Sequence, residues 1–145
     1  MRCLLLGMLG MIQGSQTLMS PRFLLPALAA AAIGFAPAAQ AQNADAGRTV
    51  YNQCRACHTI DAGGRNGVGP NLHGVFGRKA GEVQGFRYSA NLRTLAEGGL
   101  TWNEENLRRY LTNPKDVVPQ GSMAFAGIRN PQQLNDLIAF LQTQR

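Results

Sequence analysis

The chain has 145 residues and a formal charge of +6, from 14 Lys+Arg against 8 Asp+Glu. That length allows one ordinary domain, and a 45% hydrophobic share excludes a disordered chain. Three cysteines are too few for a disulfide-stapled scaffold, and no basic run with interleaved aromatics offers a nucleic-acid surface.

Residues 1–41 carry only two charges, Arg2 and Arg22. The apolar, Ala-rich stretch Phe23 to Phe35 follows Arg22 and runs toward Ala39-Gln40-Ala41, a small-residue cleavage signature. This pattern predicts a signal peptide cleaved after Ala41 and export to the periplasm. An uncleaved anchor is the alternative, but Pro26 and Pro37 break the run short of the roughly 20 residues a span needs, so no stable membrane insertion is expected. A second apolar run, Leu4 to Ile12, precedes it. Met19-Ser20-Pro21-Arg22 would itself open an ordinary signal peptide, which points to translation starting at Met19. Removing residues 1–41 takes the charge from +6 to +4 and leaves a domain over 42–145. Its cysteines are Cys54 and Cys57, its one methionine is Met123, and its histidines are His58 and His73.

Three main helices are predicted in that domain. The first spans about Asp45 to Cys54, with Gly47, Val50, Tyr51 and Cys54 on one face and Asp45 as N-cap or first-turn acid. A short helix around Ala90 to Ala96 follows. The next opens at Thr101, where Thr101-Trp102-Asn103-Glu104 matches a capping box, and stops at Asn113-Pro114. The last opens at Asn130-Pro131 and carries the apolar stripe Leu134, Leu137, Ile138 and Leu141. No segment alternates with period two, so little or no sheet is expected. Thr59 to Tyr88 and Pro114 to Arg129 read as Gly-rich and irregular. Loops that long in so small a domain need a reason, and the helical faces alone are thin for a core. Something other than side chains is expected to fill the middle.

Cys54-Arg55-Ala56-Cys57-His58 is C-x-x-C-H, the attachment signature of a c-type haem. Two thiols at this spacing can form thioethers to the two vinyl groups, and the adjacent His58 can supply the proximal imidazole. Three other readings compete. A redox dithiol needs a thioredoxin-like sheet. A structural zinc needs four ligands, and only His73 is left over. A plain disulfide is compatible with the periplasm. With haem, the sixth ligand follows by elimination among His, Met, Cys and Tyr. His73 sits in a turn 15 residues past His58 and reads as a hydrogen-bonding loop residue. Met123, in a loop between the second and third main helices, is the candidate. Met/His ligation fills the coordination sphere and raises the potential, which suits outer-sphere electron transfer.

Several motifs then coincide in order: Cys54 to His58, Gly69-Pro70-Asn71-Leu72-His73-Gly74-Val75-Phe76-Gly77-Arg78, Phe86 to Tyr88, Trp102, Tyr110-Leu111-Thr112-Asn113-Pro114, Met123-Ala124-Phe125-Ala126-Gly127 and Leu137 to Leu141. From Gly47 to Arg145 the chain resembles the class I monohaem cytochromes c of mitochondria and bacteria. The resemblance implies an all-α fold of three to four main helices and long loops wrapped around one covalent haem c. It also implies a monomeric one-electron carrier, not an enzyme. Pro70 would offer its carbonyl to His58. Arg78, Tyr88 and Trp102 would bond a haem propionate. Asn91 and Tyr110 would sit near the iron, with Tyr110 bonding the Met123 sulfur, and Phe125 would pack beside the haem. Gly47 would let the first and last helices cross closely. The implied partners are a quinol–cytochrome c oxidoreductase as donor and a terminal oxidase, peroxidase or photosynthetic centre as acceptor. The chain departs from its relatives at Gln53 and Ser122, places where lysine is common. A haem sensor or peroxidase-like enzyme, whose distal ligand leaves, is the rival reading.

Overall fold

The computed structural model describes residues 42–145. The leader over 1–41, its cleavage after Ala41 and the start at Met19 lie outside the described residues. Five helices appear rather than three or four: α1 (Ala44–Tyr51), α2 (Ala90–Glu97), α3 (Glu104–Thr112), α4 (Pro114–Val117) and α5 (Pro131–Thr143). The only β pairing among the described residues is an isolated antiparallel bridge, Lys79 to Thr101. The fold is all-α, as expected. None of these helices is long and apolar enough to cross a membrane.

Local chemistry sets each helix start. Asn43 caps α1, its side-chain oxygen accepting from the N–H groups of Asp45 and Ala46, and Asp45 sits in the positive first turn. Ser89 caps α2. Asn130 caps α5 and Pro131 takes its first turn, as the sequence indicates.

The capping box expected at Thr101 does not form. Asn103 caps α3 instead, accepting from Asn106 N–H at 2.8 Å. The reason lies in the loop alongside. Trp102 N–H donates to the Arg78 carbonyl at 2.8 Å and Gly77 N–H donates to the Trp102 carbonyl at 2.9 Å. Thr101 and Trp102 are therefore committed to extended pairing, and Asn103 is the first residue free to turn the chain. Glu104 pairs forward with Arg108 at 2.9 Å rather than reaching back. The extra helix α4 arises because Pro114 denies Asn113 a helical conformation (φ −150°, ψ 103°), yet Pro114 suits a new first turn that Asn113 caps. α1 also ends earlier than expected, at Tyr51, and residues 52–57 continue as turns.

The main helix packing is α1 against α5. Gly47 is buried at the crossing. A Cβ there would run into the Asp136 carbonyl and lie 2.7 Å from Phe140 Cβ, so glycine permits the approach. The Tyr51 and Phe140 rings meet at 5.4 Å, and the Arg48 guanidinium lies 5.5 Å from the centre of the Phe140 ring. The buried Asp136 carboxylate accepts from Asn43 N–H at 2.9 Å and from the Gln132 amide at 2.8 Å. It ties the start of α1 to α5 with charge-assisted bonds. Leu137 and Ile138, the most enclosed α5 positions, anchor the core behind the crossing.

The long loop over 59–88 is organised by side chains bonding backbone. Asn71 is its hub: its amide donates to Thr59 Oγ1 at 2.7 Å and to the Asp61 carbonyl at 3.1 Å, while its oxygen accepts from His73 N–H at 2.7 Å. Such bonds replace the ladder that a buried segment otherwise needs.

Replacing Gly47 with Ala overpacks the α1–α5 crossing. The expected loss of stability is about 1–3 kcal/mol, read as a lower urea midpoint at unchanged slope.

Candidate functional site

Residues 52–57 form successive turns that lead to His58. Cys54 N–H donates to the Tyr51 carbonyl at 2.8 Å and His58 N–H donates to the Cys54 carbonyl at 2.9 Å. Cys54 is half-buried, Cys57 is exposed, and the two are not disulfide-bonded. Burial, and secondarily the neighbouring Cys57, pushes the Cys54 thiol up to about 11. That is the reverse of a redox dithiol, whose attacking thiol is acidified. Nor do any three His, Cys, Asp or Glu residues cluster as a metal site among the described residues, which leaves zinc without its ligands.

The His58 ring is held on two sides. Its Nδ1 lies 2.8 Å from the Pro70 carbonyl oxygen. A carbonyl only accepts, so Nδ1 carries the proton, and Nε2 is the nitrogen left to act as a donor atom. Gly69 packs against the ring; a Cβ there would lie 2.7 Å from Nε2. Gly69 N–H in turn donates to the Cys57 carbonyl at 2.8 Å. The His58 carbonyl accepts from Tyr51 O–H at 2.9 Å, fixing the turn to α1.

Met123 lies on the irregular segment between α4 and α5 and is half-buried. Tyr110 of α3 directs its hydroxyl to the Met123 sulfur at 3.8 Å. Burial drives the Tyr110 phenol up to about 12, so it donates as a neutral hydroxyl. Trp102 packs against Tyr110 with ring centres 4.8 Å apart and the planes tilted by 44°. The Met123 segment is tied down at three points. Gln120 N–H donates to Asn91 Oδ1 at 3.0 Å, Lys115 Nζ donates to the Gly121 carbonyl at 2.6 Å, and Gly121 N–H donates to the Val118 carbonyl at 2.9 Å.

All these groups surround one cavity of about 280 Å³. Cys54, Cys57, His58 and Met123 line it, as do Pro70, Arg78, Tyr88, Trp102, Tyr110 and Phe125. Most of the remaining wall is apolar, including Leu72, Val75, Leu92, Leu107, Leu111 and Leu141. Asn91 is the exception among the expected residues. It is not part of the wall, and its side-chain oxygen accepts from Gln120 N–H. His73 also lies away from the wall, its carbonyl accepting from Arg78.

The wall suits a flat, largely apolar group bearing acidic substituents. Arg78 donates from its two terminal nitrogens to the carbonyls of His73 and Asn71, at 2.8 and 3.1 Å. Its Nε is buried with no hydrogen-bond partner among the described residues. Burial also lowers the Arg78 pKa, although the guanidinium stays charged. A half-buried cation with a buried, unused donor calls for an anion. Tyr88 lines the same cavity, its hydroxyl accepting from Val83 N–H at 3.3 Å and keeping its own proton to donate. Haem, with two vinyls, one iron and two propionates, fits these donors.

The residues that sequence reasoning missed are Gly69, Lys115 and Asn71. Gly69 and Asn71 fall inside the Gly69 to Arg78 motif, which was quoted without their individual roles. The Lys115 contact spans a loop and leaves no local signal.

Comparison with known proteins agrees with the geometry. A family model described as Cytochrome c matches residues 44–145. A cytochrome c2 of Blastochloris viridis is 46% identical over 112 residues, which is 77% of this chain and 84% of that one. A cytochrome c2 of Afifella marina is 43% identical over 98 residues, 68% of this chain and 79% of that one. The solved structure of cytochrome cH from Methylobacterium extorquens matches with a TM-score of 0.62 at 42% identity, covering 70% of this chain and 98% of its own. The chain belongs to the cytochrome c family: it is an electron-transfer protein rather than an enzyme, and it carries one covalently attached haem c.

Proposed function

We propose that the protein is a periplasmic one-electron shuttle whose haem is bound through Cys54 and Cys57 and ligated by His58 and Met123. The observation that carries this reading is that His58 and Met123 both line the cavity, each held by a bond to a second group. Pro70 sets the His58 tautomer so that the free lone pair is Nε2. Tyr110 orients the Met123 sulfur. When bound, the haem supplies an iron that cycles between ferrous and ferric states.

The chain's own residues keep that cycle simple. His58 and Met123 together would leave no open coordination position, which would suppress small-molecule chemistry at the iron. Both donors are neutral, and a thioether favours the reduced state, which raises the potential. Arg78 and Tyr88, with Trp102 beside them, would hold the propionates and offset their burial. Phe125 and the leucines of the wall exclude water. The leader over 1–41, cleaved after Ala41 with translation from Met19, would deliver the chain to the periplasm, where haem attachment and partner encounter take place. A quinol–cytochrome c oxidoreductase as donor suits this carrier. The acceptor would be a terminal oxidase, a peroxidase or a photosynthetic centre.

Without the haem, the apolar wall of this cavity, including Leu72, Val75, Leu92, Leu107, Leu111 and Leu141, would face water. A Cys54→Ala, Cys57→Ala variant produced without haem attachment is therefore expected to show weak helicity and no cooperative melt by circular dichroism. Native-like helicity with a sharp transition would contradict the haem-filled core.

The ligand assignment is tested by Met123→Ala. The mature wild type should be low-spin in both oxidation states, with a weak near-infrared methionine-to-iron band. The variant should lose that band and bind carbon monoxide when ferrous. Survival of the band would place the sixth ligand elsewhere. The mass and N-terminal sequence of the exported protein check the leader, with Gln42 expected as the first residue.

A further inference from the structure

Asn66 is followed by Gly67, and of the ten asparagines in the chain it alone precedes a glycine. This dipeptide is chemically labile in a flexible chain. The amide nitrogen of the glycine attacks Cγ of the asparagine, and no side chain on the glycine hinders the approach. A new N–Cγ bond closes a five-membered succinimide as the Cγ–Nδ2 bond breaks. Ammonia leaves with the proton given up by the glycine N–H. Water then opens the ring at either carbonyl, giving aspartate or isoaspartate. No oxidant, reductant or enzyme is needed.

The fold has structural uses for both members of the pair. Asn66 Oδ1 accepts from Asn71 N–H at 2.9 Å, while its Nδ2 donates to the Gln84 carbonyl at 3.0 Å. An amide offers both functions, whereas a carboxylate only accepts. Gly67 passes close to the Cys57 backbone, where an added Cβ would lie 2.7 Å from the Cys57 carbonyl oxygen. Gly67 is exposed and Asn66 half-buried, so water reaches the pair and exclusion of solvent does not protect it.

The hydrogen bonds do. The Asn66 amide is held at both its oxygen and its nitrogen, so Cγ is not free to turn onto the following backbone nitrogen. The Gly67 N–H is donated to the Gly69 carbonyl at 2.9 Å, which keeps its proton in place. Both reacting groups are thus engaged in bonds that exist only while the loop over 59–88 is folded.

We propose that Asn66–Gly67 is a self-modification site, held shut by the folded loop and converted to aspartate or isoaspartate when that loop opens, and that conversion severs the tie between Asn66 and Gln84. Afterwards a carboxylate oxygen stands where Nδ2 faced the Gln84 carbonyl, so two acceptors meet. Isoaspartate also inserts the side-chain methylene into the backbone. The change is one-way, and a converted chain opens more readily. This goes beyond the carrier reading and does not depend on the iron's ligand set.

Conversion in the native state runs at the open-chain rate multiplied by the fraction of time the loop is open. The test follows the mature holoprotein in mildly alkaline buffer, native and unfolded in guanidinium chloride, by peptide mapping with mass detection of the amide-to-acid change. Unfolded, Asn66 should convert first among the asparagines, and at least about tenfold faster than in the native state. Asn66→Asp should lower the urea midpoint at unchanged slope. Gln133→Glu, an equal charge change at an exposed residue of α5, should not.

Conversion of native Asn66 at the unfolded rate would overturn the proposal, as would an unfolded chain in which Asn66 outlasts the other asparagines. An Asn66→Asp midpoint equal to that of the wild type would show the tie to be idle and overturn it too. Should Asn66→Asp fail to fold, the severed tie has its full effect, and the rate comparison on the wild type still decides whether the fold keeps the site shut.

Discussion

The interior of this chain encloses space that its own side chains do not fill. The helices bury enough apolar surface to make a wall, but α1 and α2 have only eight residues each and α5 has thirteen. Helices that short are marginal alone. They become stable only when their inner faces meet something apolar, and several of those faces, through Leu92, Leu107, Leu111 and Leu141, open onto the cavity. The haem is therefore a structural element as well as the redox centre. The α1–α5 crossing is the main place among the described residues where helix packs on helix without it.

This constraint explains the loops. A chain that must pass around a flat group cannot do so in regular structure, because one helix or strand follows a straight line. The loop over 59–88 bends repeatedly, and each bend exposes backbone groups that need partners. Asn71, Asn66, Thr59 and Arg78 supply them from side chains. Asn66, for instance, accepts from Asn71 N–H and donates to the Gln84 carbonyl, joining two passes of the loop. The same economy recurs on the other side, where Asn91 and Lys115 hold the segment carrying Met123.

What the sequence made legible was whatever depends on neighbours in the chain. Asn130-Pro131, the Leu134 to Leu141 stripe and Cys54 to His58 are local patterns with local causes. Thr101 misled for a nonlocal reason. Its capping box is a sound local pattern, but the backbone of Thr101 and Trp102 is already committed to residues 77–79. Asn91 has a nonlocal tie of its own: its side-chain oxygen accepts from a backbone N–H 29 residues away. The turn at Asn113-Pro114 was read as a stop, and it is one, but the same proline also starts α4. The irregular loops were recognisable as loops. Their internal bonding was not, since an asparagine hub leaves no periodicity.

On the ligand set proposed for the iron, the two sides of the site follow one design. Each donor atom is neutral, and each is oriented by a neutral group: His58 by the Pro70 carbonyl and Met123 by the Tyr110 hydroxyl. No carboxylate lines the cavity. An oxidised centre carries one more positive charge than a reduced one, and an apolar wall solvates that charge poorly. The one fixed cation enclosed by the wall, Arg78, disfavours it further. Ligand softness, wall polarity and Arg78 thus all shift the balance toward the reduced state, while the bonds on Pro70 and Tyr110 let the donors stay in place as the charge changes. A centre that neither exchanges ligands nor rearranges its surroundings can gain and lose an electron with little reorganisation.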